Sequence, residues 1–185
     1  MSQIILIRHA KVDIKNPWIY SSKLKEYLEL YNNSPILKES IPKELQKLVE
    51  NADILATSEL LRAKKTLKLF NKEPSFTSSL FNESPLPYAN FRLFKLPAKV
   101  WIAIYRIAWL FGFSKNTLSI KQERNIAKMA VKELLLKEEN ILLIGHGVKN
   151  FLIAKELKKI GYSVIKKSDS KNLGYYIYNK RYKGA

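Results

Sequence analysis

Short runs of consecutive apolar residues alternate along the chain with longer stretches in which apolar positions recur at helical spacing. Gln3–Arg8 (QIILIR) is apolar, β-branched and too short for a globular helix, which predicts a strand buried on both faces. ADILATS, ending at Thr57–Ser58, and NILLIGHG repeat that pattern, and PSFTSSL predicts a further strand. Between them the spacing predicts a helix from about Trp18 that fades at Asn32–Asn33, and a second with a serine cap at Ser40 and a proline near its first turn. ELLRAKKTLKLF predicts a third helix with Leu60, Leu61, Leu67 and Phe70 turned inward. SIKQERNIAKMAVKELLLKEE predicts a long amphipathic helix, and VKNFLIAKELKKIG a last one stopped by Gly161. NLGYYIYNK reads as a closing edge strand.

Strands alternating with helices predict a layered α/β fold around a largely parallel sheet. No internal repeat or linker divides the chain, so residues 1–185 are expected to form one domain. Segment 81–117 stands apart. Residues 81–97 carry three prolines and predict an irregular excursion, and Val100–Phe113 (VWIAIYRIAWLFGF) is apolar almost all round. Trp101, Tyr105 and Trp109 recur every four residues and are expected to share one helical face. The run is too short to span a bilayer. Its pattern leaves open a lid at the active-site edge, a dimer contact, and a membrane-surface helix flanked by Lys95, Lys99 and Lys115.

Charge adds a general preference. The formal net charge is +17, and 27 of the 33 basic residues are lysine. Such an excess attracts anions, but the lysines are dispersed over helical faces, so no specific nucleic-acid site is expected. Cysteine is absent, which removes disulfides, thiolate metal sites and cysteine nucleophiles. The first residues enter an apolar run without a basic leader, and the expected location is cytoplasmic.

The chemistry concentrates where two strands end alike. IILIRHA and ILLIGHG each close with a histidine followed by a small residue, and His9 and His146 are the only two histidines in the chain. Ligands of open α/β sheets sit at the carboxyl ends of the strands, so two parallel strands would bring both rings to one ligand. Ala10 and Gly147 would let backbone amides approach an anion. A zinc site wants more ligands and no adjacent cation, so no metal is expected beside Arg8. Arg62, at the start of the helix after the second strand, points to the same edge, and a guanidinium fork matches phosphate oxygens.

Together these residues resemble the histidine phosphatase superfamily, the phosphoglycerate-mutase-like fold. LIRHA matches its opening strand-Arg-His-Gly with Ala10 for glycine; Ser58, Leu60, Arg62, Ala63 and Thr66 match Ser-x-Leu-x-Arg-Ala-x-x-Thr; and LLIGHG matches the last signature. The resemblance implies a three-layer α/β/α fold with a mostly parallel sheet and a helical insertion near the active-site edge. It implies a metal-independent phosphatase that needs no cofactor and takes a small phosphorylated substrate. His9 would be the nucleophile and carry a transient phosphohistidine. Arg8, Arg62 and His146 would hold the phosphoryl oxygens, with Ala10 and Gly147 contributing to phosphate binding. Glu83, before the insertion, would be the general acid and base. Lys11-Val12-Asp13 departs from the Thr and Asn that help bind phosphate in many members. A mutase, a protein-phosphohistidine phosphatase, and a catalytically silent phospholigand- or polyanion-binding module remain as alternatives.

Overall fold

A computed structural model describes residues 3–137, 139–169 and 171–180. In chain order it contains β1 (Gln3–Arg8), β2 (Trp18–Tyr20), α1 (Leu24–Asn33), α2 (Lys43–Glu50), β3 (Ile54–Ser58), α3 (Leu61–Lys68) and β4 (Phe76–Ser78). The second half adds β5 (Lys95–Pro97), α4 (Ala98–Leu110), α5 (Ile120–Leu135), β6 (Ile141–Gly145), α6 (Gly147–Lys159), β7 (Tyr162–Lys167) and β8 (Tyr175–Lys180).

Six strands form the central sheet in the order β4-β3-β6-β1-β8-β7. The first four run parallel, while β8 and β7 close the sheet antiparallel. Side chains along a strand alternate between faces, and β1 and β6 feed two cores in this way. Ile4, Leu6, Ile141 and Leu143 pack under α5 and α6, against residues such as Val131, Leu134, Ile153 and Leu157. Ile5, Ile7, Leu142 and Ile144 pack on the other face, against Leu45 and Val49 of α2 and Ala63 and Leu67 of α3. This is the expected three-layer α/β/α arrangement with a mostly parallel sheet. It places the carboxyl ends of β1, β3 and β6 side by side.

Several expectations need correction. Trp18–Tyr20 is a strand, not the start of a helix, because its aromatic and β-branched residues pair antiparallel with β5 of the 81–117 segment. Helix α2 begins at Lys43 with Pro42 at its cap position, so Ser40 caps nothing. On α3 the inward face is Arg62, Ala63, Thr66 and Leu67, and Leu61 is exposed, because the site draws Arg62 and Thr66 inward. The last strand is not an edge: β8 lies between β1 and β7, and β7, which the pattern did not predict, takes the edge. Gly161, at φ +92°, does end α6.

Segment 81–117 builds a smaller core of its own. Trp101 and Tyr105 pack with Leu24 and Tyr27 of α1 and with Leu86, and Trp109 reaches the main core beside α5. The aromatic face of α4 is thus a single inward face, as its spacing predicts. Trp101 donates to the Ile19 carbonyl and Trp109 to the Leu118 carbonyl, both at 2.8 Å. No helix among the described residues is long and apolar enough to cross a membrane.

Candidate active site

Strands β1 and β6 are neighbours in parallel register, with Arg8 opposite Gly145, and each is followed at once by its histidine. The His9 and His146 rings lie 5.1 Å apart between centroids and are almost fully buried. The sequence pattern therefore did locate a shared strand edge.

The two rings are held differently. His9 Nδ1 lies 2.7 Å from the Ala10 carbonyl oxygen, which can only accept, so Nδ1 carries the proton and Nε2 keeps its lone pair. Burial, then the Arg62 guanidinium, and after them Arg8, push the His9 pKa down to about 3, against the bond to the Ala10 carbonyl. His9 is neutral at neutral pH, and its free nitrogen sits in the field of two cations.

His146 Nδ1 accepts from Arg62 Nε at 3.2 Å, since a guanidinium nitrogen always carries its proton. Its Nε2–H then donates to Ser58 Oγ at the end of β3, at 2.7 Å. Burial first, then Arg62, His9, Lys149 and Arg8, hold His146 well below its ordinary pKa. Both nitrogens of His146 are thus engaged within the site, one with Arg62 and one with Ser58.

Arg62 is itself fixed from several directions. Its Nη1 donates to Asn32 Oδ1 at 2.6 Å, and the guanidinium carbon lies 5.2 Å from the Tyr31 ring centre. Both residues come from the end of α1, which packs against α3. Nothing in the local pattern marks them, since their approach to Arg62 depends on helix packing. Thr66, one turn after Arg62, donates to the Arg62 carbonyl at 2.6 Å and accepts the Ala10 amide at 2.9 Å. The Ala10 amide expected to face an anion is therefore turned to Thr66, and Ala10 is packed in the core.

A turn before β8 clamps the backbone of the Arg8-His9 pair. Arg8 donates its amide to the Gly174 carbonyl, Leu173 donates to the Arg8 carbonyl, and Asn172 Nδ2 donates to the His9 carbonyl, at 2.8–3.0 Å. Leu173 adopts φ +61°, a left-handed conformation uncommon outside glycine, which is backbone strain next to the site. Asn150 on α6 bonds the Ile7 carbonyl at 2.9 Å and lies so close to Gly145 that a Cβ there would meet its Oδ1 at 2.3 Å.

No protein-family model matches the chain, and no curated protein matches its sequence. Solved structures do. Phosphoserine phosphatase from Entamoeba histolytica, in complex with 3-phosphoglyceric acid, is similar at a TM-score of 0.60 and 16% identity, over 96% of this chain and 90% of that one. An open reading frame product of Mycobacterium tuberculosis gives 0.55 and 15%, over 86% and 80%. A protein described as a candidate alpha-ribazole-5'-P phosphatase from Escherichia coli gives 0.54 and 20%, over 84% and 79%. The chain has the phosphoglycerate-mutase-like fold of the histidine phosphatases.

Within that fold, Glu83 stands at the amino end of α6, one residue beyond Asn82, which accepts the Glu59 amide at 3.0 Å. Its carboxylate accepts from the amides of Ser84, Val148 and Lys149. It is close enough to Tyr31, Arg62 and Arg106 to act on their ionisation. The structure therefore brings Glu83 to the edge that holds the histidines. Gly147 opens α6 beside it, with the Arg8 side chain over its Cα.

Beneath Glu83 lies a network that the sequence pattern did not reveal. Glu123 of α5 accepts from Lys149 Nζ at 2.7 Å and from Ser84 Oγ at 2.6 Å, and both charged side chains are 2% exposed. Arg106, the one charge inside the apolar insertion, donates to the Ser84 carbonyl at 2.9 Å and lies over Trp109. Helices α4, α5 and α6 are thus joined at the residue next to Glu83. No group of three or more potential metal-ligating side chains occurs among the described residues.

Proposed function

We propose that this chain belongs to the histidine phosphatase superfamily and hydrolyses a small phosphomonoester, without a metal ion, through a phosphohistidine on His9. The observation that carries the reading is the His9 ring, whose proton is fixed on Nδ1 by the Ala10 carbonyl while Nε2 is left unprotonated between Arg8 and Arg62. In the first step Nε2 attacks phosphorus and the bond to the ester oxygen breaks, with Glu83 in its carboxylic-acid form giving its proton to the departing alcohol and becoming the carboxylate. In the second, water attacks the phosphohistidine, Glu83 takes a proton from it, and the N–P bond breaks to release inorganic phosphate. Arg8 and Arg62 offset the charge that builds on the phosphoryl oxygens, His146 and Asn32 hold Arg62 in place, and the Gly147 amide completes the phosphate site.

The comparisons support this class of chemistry at a coarse level. The amoebal neighbour is named a phosphoserine phosphatase, and the bacterial one is named for a ribazole phosphate; phosphoserine and 3-phosphoglyceric acid appear in the amoebal complexes. The presence of Glu83 and of the insertion favours a phosphatase over a compact protein-phosphohistidine phosphatase, and the apolar insertion disfavours a mutase. The net charge of +17 favours one different reading, a silent module that binds phospholigands or polyanions.

A phosphatase assay over a panel of phosphomonoesters, with chelator present, separates these. Turnover is expected to persist in chelator and to fall by at least about 10³-fold in His9→Ala. Undiminished turnover by His9→Ala would sink the mechanism, and activity lost only in chelator would make this a metal enzyme. Salt-sensitive anion binding by a wild type without turnover would establish the binding module.

A further inference from the structure

Helix α4 presents an anomaly. A helix that is apolar all round is ordinarily buried, yet only one side of this one is covered. Trp101, Tyr105 and Trp109 point inward, while Val100, Ala103, Ile104, Ile107, Leu110 and Phe111 form the opposite, exposed face, with Ile107 57% and Phe111 89% exposed. No charged or polar side chain interrupts that face after Lys99. Next to it the incoming segment exposes Leu93 and Phe94, and β2 exposes Trp18 at 66%.

The charged residues that flank this surface along the chain have one sign. Arg92, Lys95 and Lys99 are exposed at its entrance and Lys115 beyond its end, and no acidic residue occurs between Glu83 and Glu123. Outside residues 84–122 the chain intersperses its 16 acidic residues among 27 basic ones, so the all-cationic stretch is local. The 13 residues of α4 are about 20 Å long, which suits a helix lying along an interface and not across it.

We infer that the outer face of α4 and the adjoining Leu93–Phe94 segment dock on an anionic phospholipid surface, the apolar residues entering the acyl boundary and the cations meeting the headgroups. A second copy of this chain fits less well. In a two-fold dimer the patch meets itself, which would bring Arg92, Lys95 and Lys99 of one copy near those of the other without an acid to pair them. An anionic bilayer supplies both the apolar layer and the countercharge. Docking would hold the bilayer close to the proposed phosphate site, because α4 packs on α1, whose end carries Tyr31 and Asn32 against Arg62.

The test is co-sedimentation of the full chain with vesicles of phosphatidylcholine, alone or mixed with phosphatidylglycerol. Binding is expected to the mixed vesicles, to be far weaker on phosphatidylcholine alone, and to weaken with salt. I107D/F111D and K95E/K99E are each expected to reduce it at least about ten-fold while leaving turnover of a soluble phosphomonoester unchanged. Phe111→Ser, at a position outside the packed side of the helix, provides a milder variant with an expected several-fold loss and an unchanged melting temperature. Absence of binding to mixed vesicles by the wild type overturns the inference. So does binding that I107D/F111D leaves intact, which would mark a merely electrostatic attraction. Concentration-dependent dimerisation in analytical ultracentrifugation, abolished by I107D/F111D, would assign the face to a second copy and overturn it as well.

Discussion

Glu83 is the residue on which the proposed mechanism makes its sharpest demand. It is anchored by the first amides of α6 and faces Arg62, so its carboxyl can serve a leaving oxygen without moving its backbone. Glu83→Gln keeps the shape and removes the exchangeable proton. Steady-state rates on alkyl phosphates are expected to fall on the order of 10²-fold, while activated aryl phosphates lose far less, since their leaving groups need little protonation. Equal losses on both substrates would remove Glu83 as the acid. His9, His146, Arg8, Arg62 and Glu83 were all legible in the chain because each sits at a strand end, helix start or motif position. Tyr31, Asn32, Asn150 and Asn172 were not. Each touches a residue at least 30 positions away, across a tertiary contact that local spacing does not encode.

At the scale of elements, the buried parallel strands were the easiest to read, because a strand covered on both faces needs a continuous apolar run. Strand β7 escaped notice because it is an edge: Ile165, Lys166 and Lys167 are exposed, and charge on an edge strand hides the strand pattern. Trp18–Tyr20 was misassigned because its partner, β5, lies far along the chain. The buried Lys149–Glu123 pair adds an ionic tie between α5 and α6 beside their shared apolar core. Removing one partner of such a pair strands the other charge, so Lys149→Met is expected to cost about 3–5 kcal/mol of stability. Urea denaturation measures this, and K149M/E123L should recover much of the loss. A loss in K149M/E123L as large as that in K149M would show that Glu123 is not left as an uncompensated charge.

For the molecule as a whole, the neutral buried histidines make stability depend on pH. The His9 pKa is near 3 when folded, against 6.5 for an ordinary histidine, so below pH 6.5 the unfolded chain binds a proton that the folded one does not. Stability is complete above pH 6.5 and declines as pH falls toward 3, by up to about 1.4 kcal/mol per pH unit for this one group. His146 is shifted in the same direction and adds to the slope. Urea midpoints between pH 7.5 and about 4.5 should fall steeply for the wild type and less so for His9→Asn; parallel curves would mean that His9 is not held neutral. By itself the sequence determined the two-faced apolar strands, the histidines that end them, and the helix that carries Arg62, because strand burial and motif spacing are local properties. Only the tertiary structure decided the place of β8, the capping of α6 by Glu83, the support of Arg62 by α1, and the exposure of the outer face of α4. Those depend on which elements become neighbours, and an apolar residue on a helix reads the same in sequence whether protein covers it or solvent does.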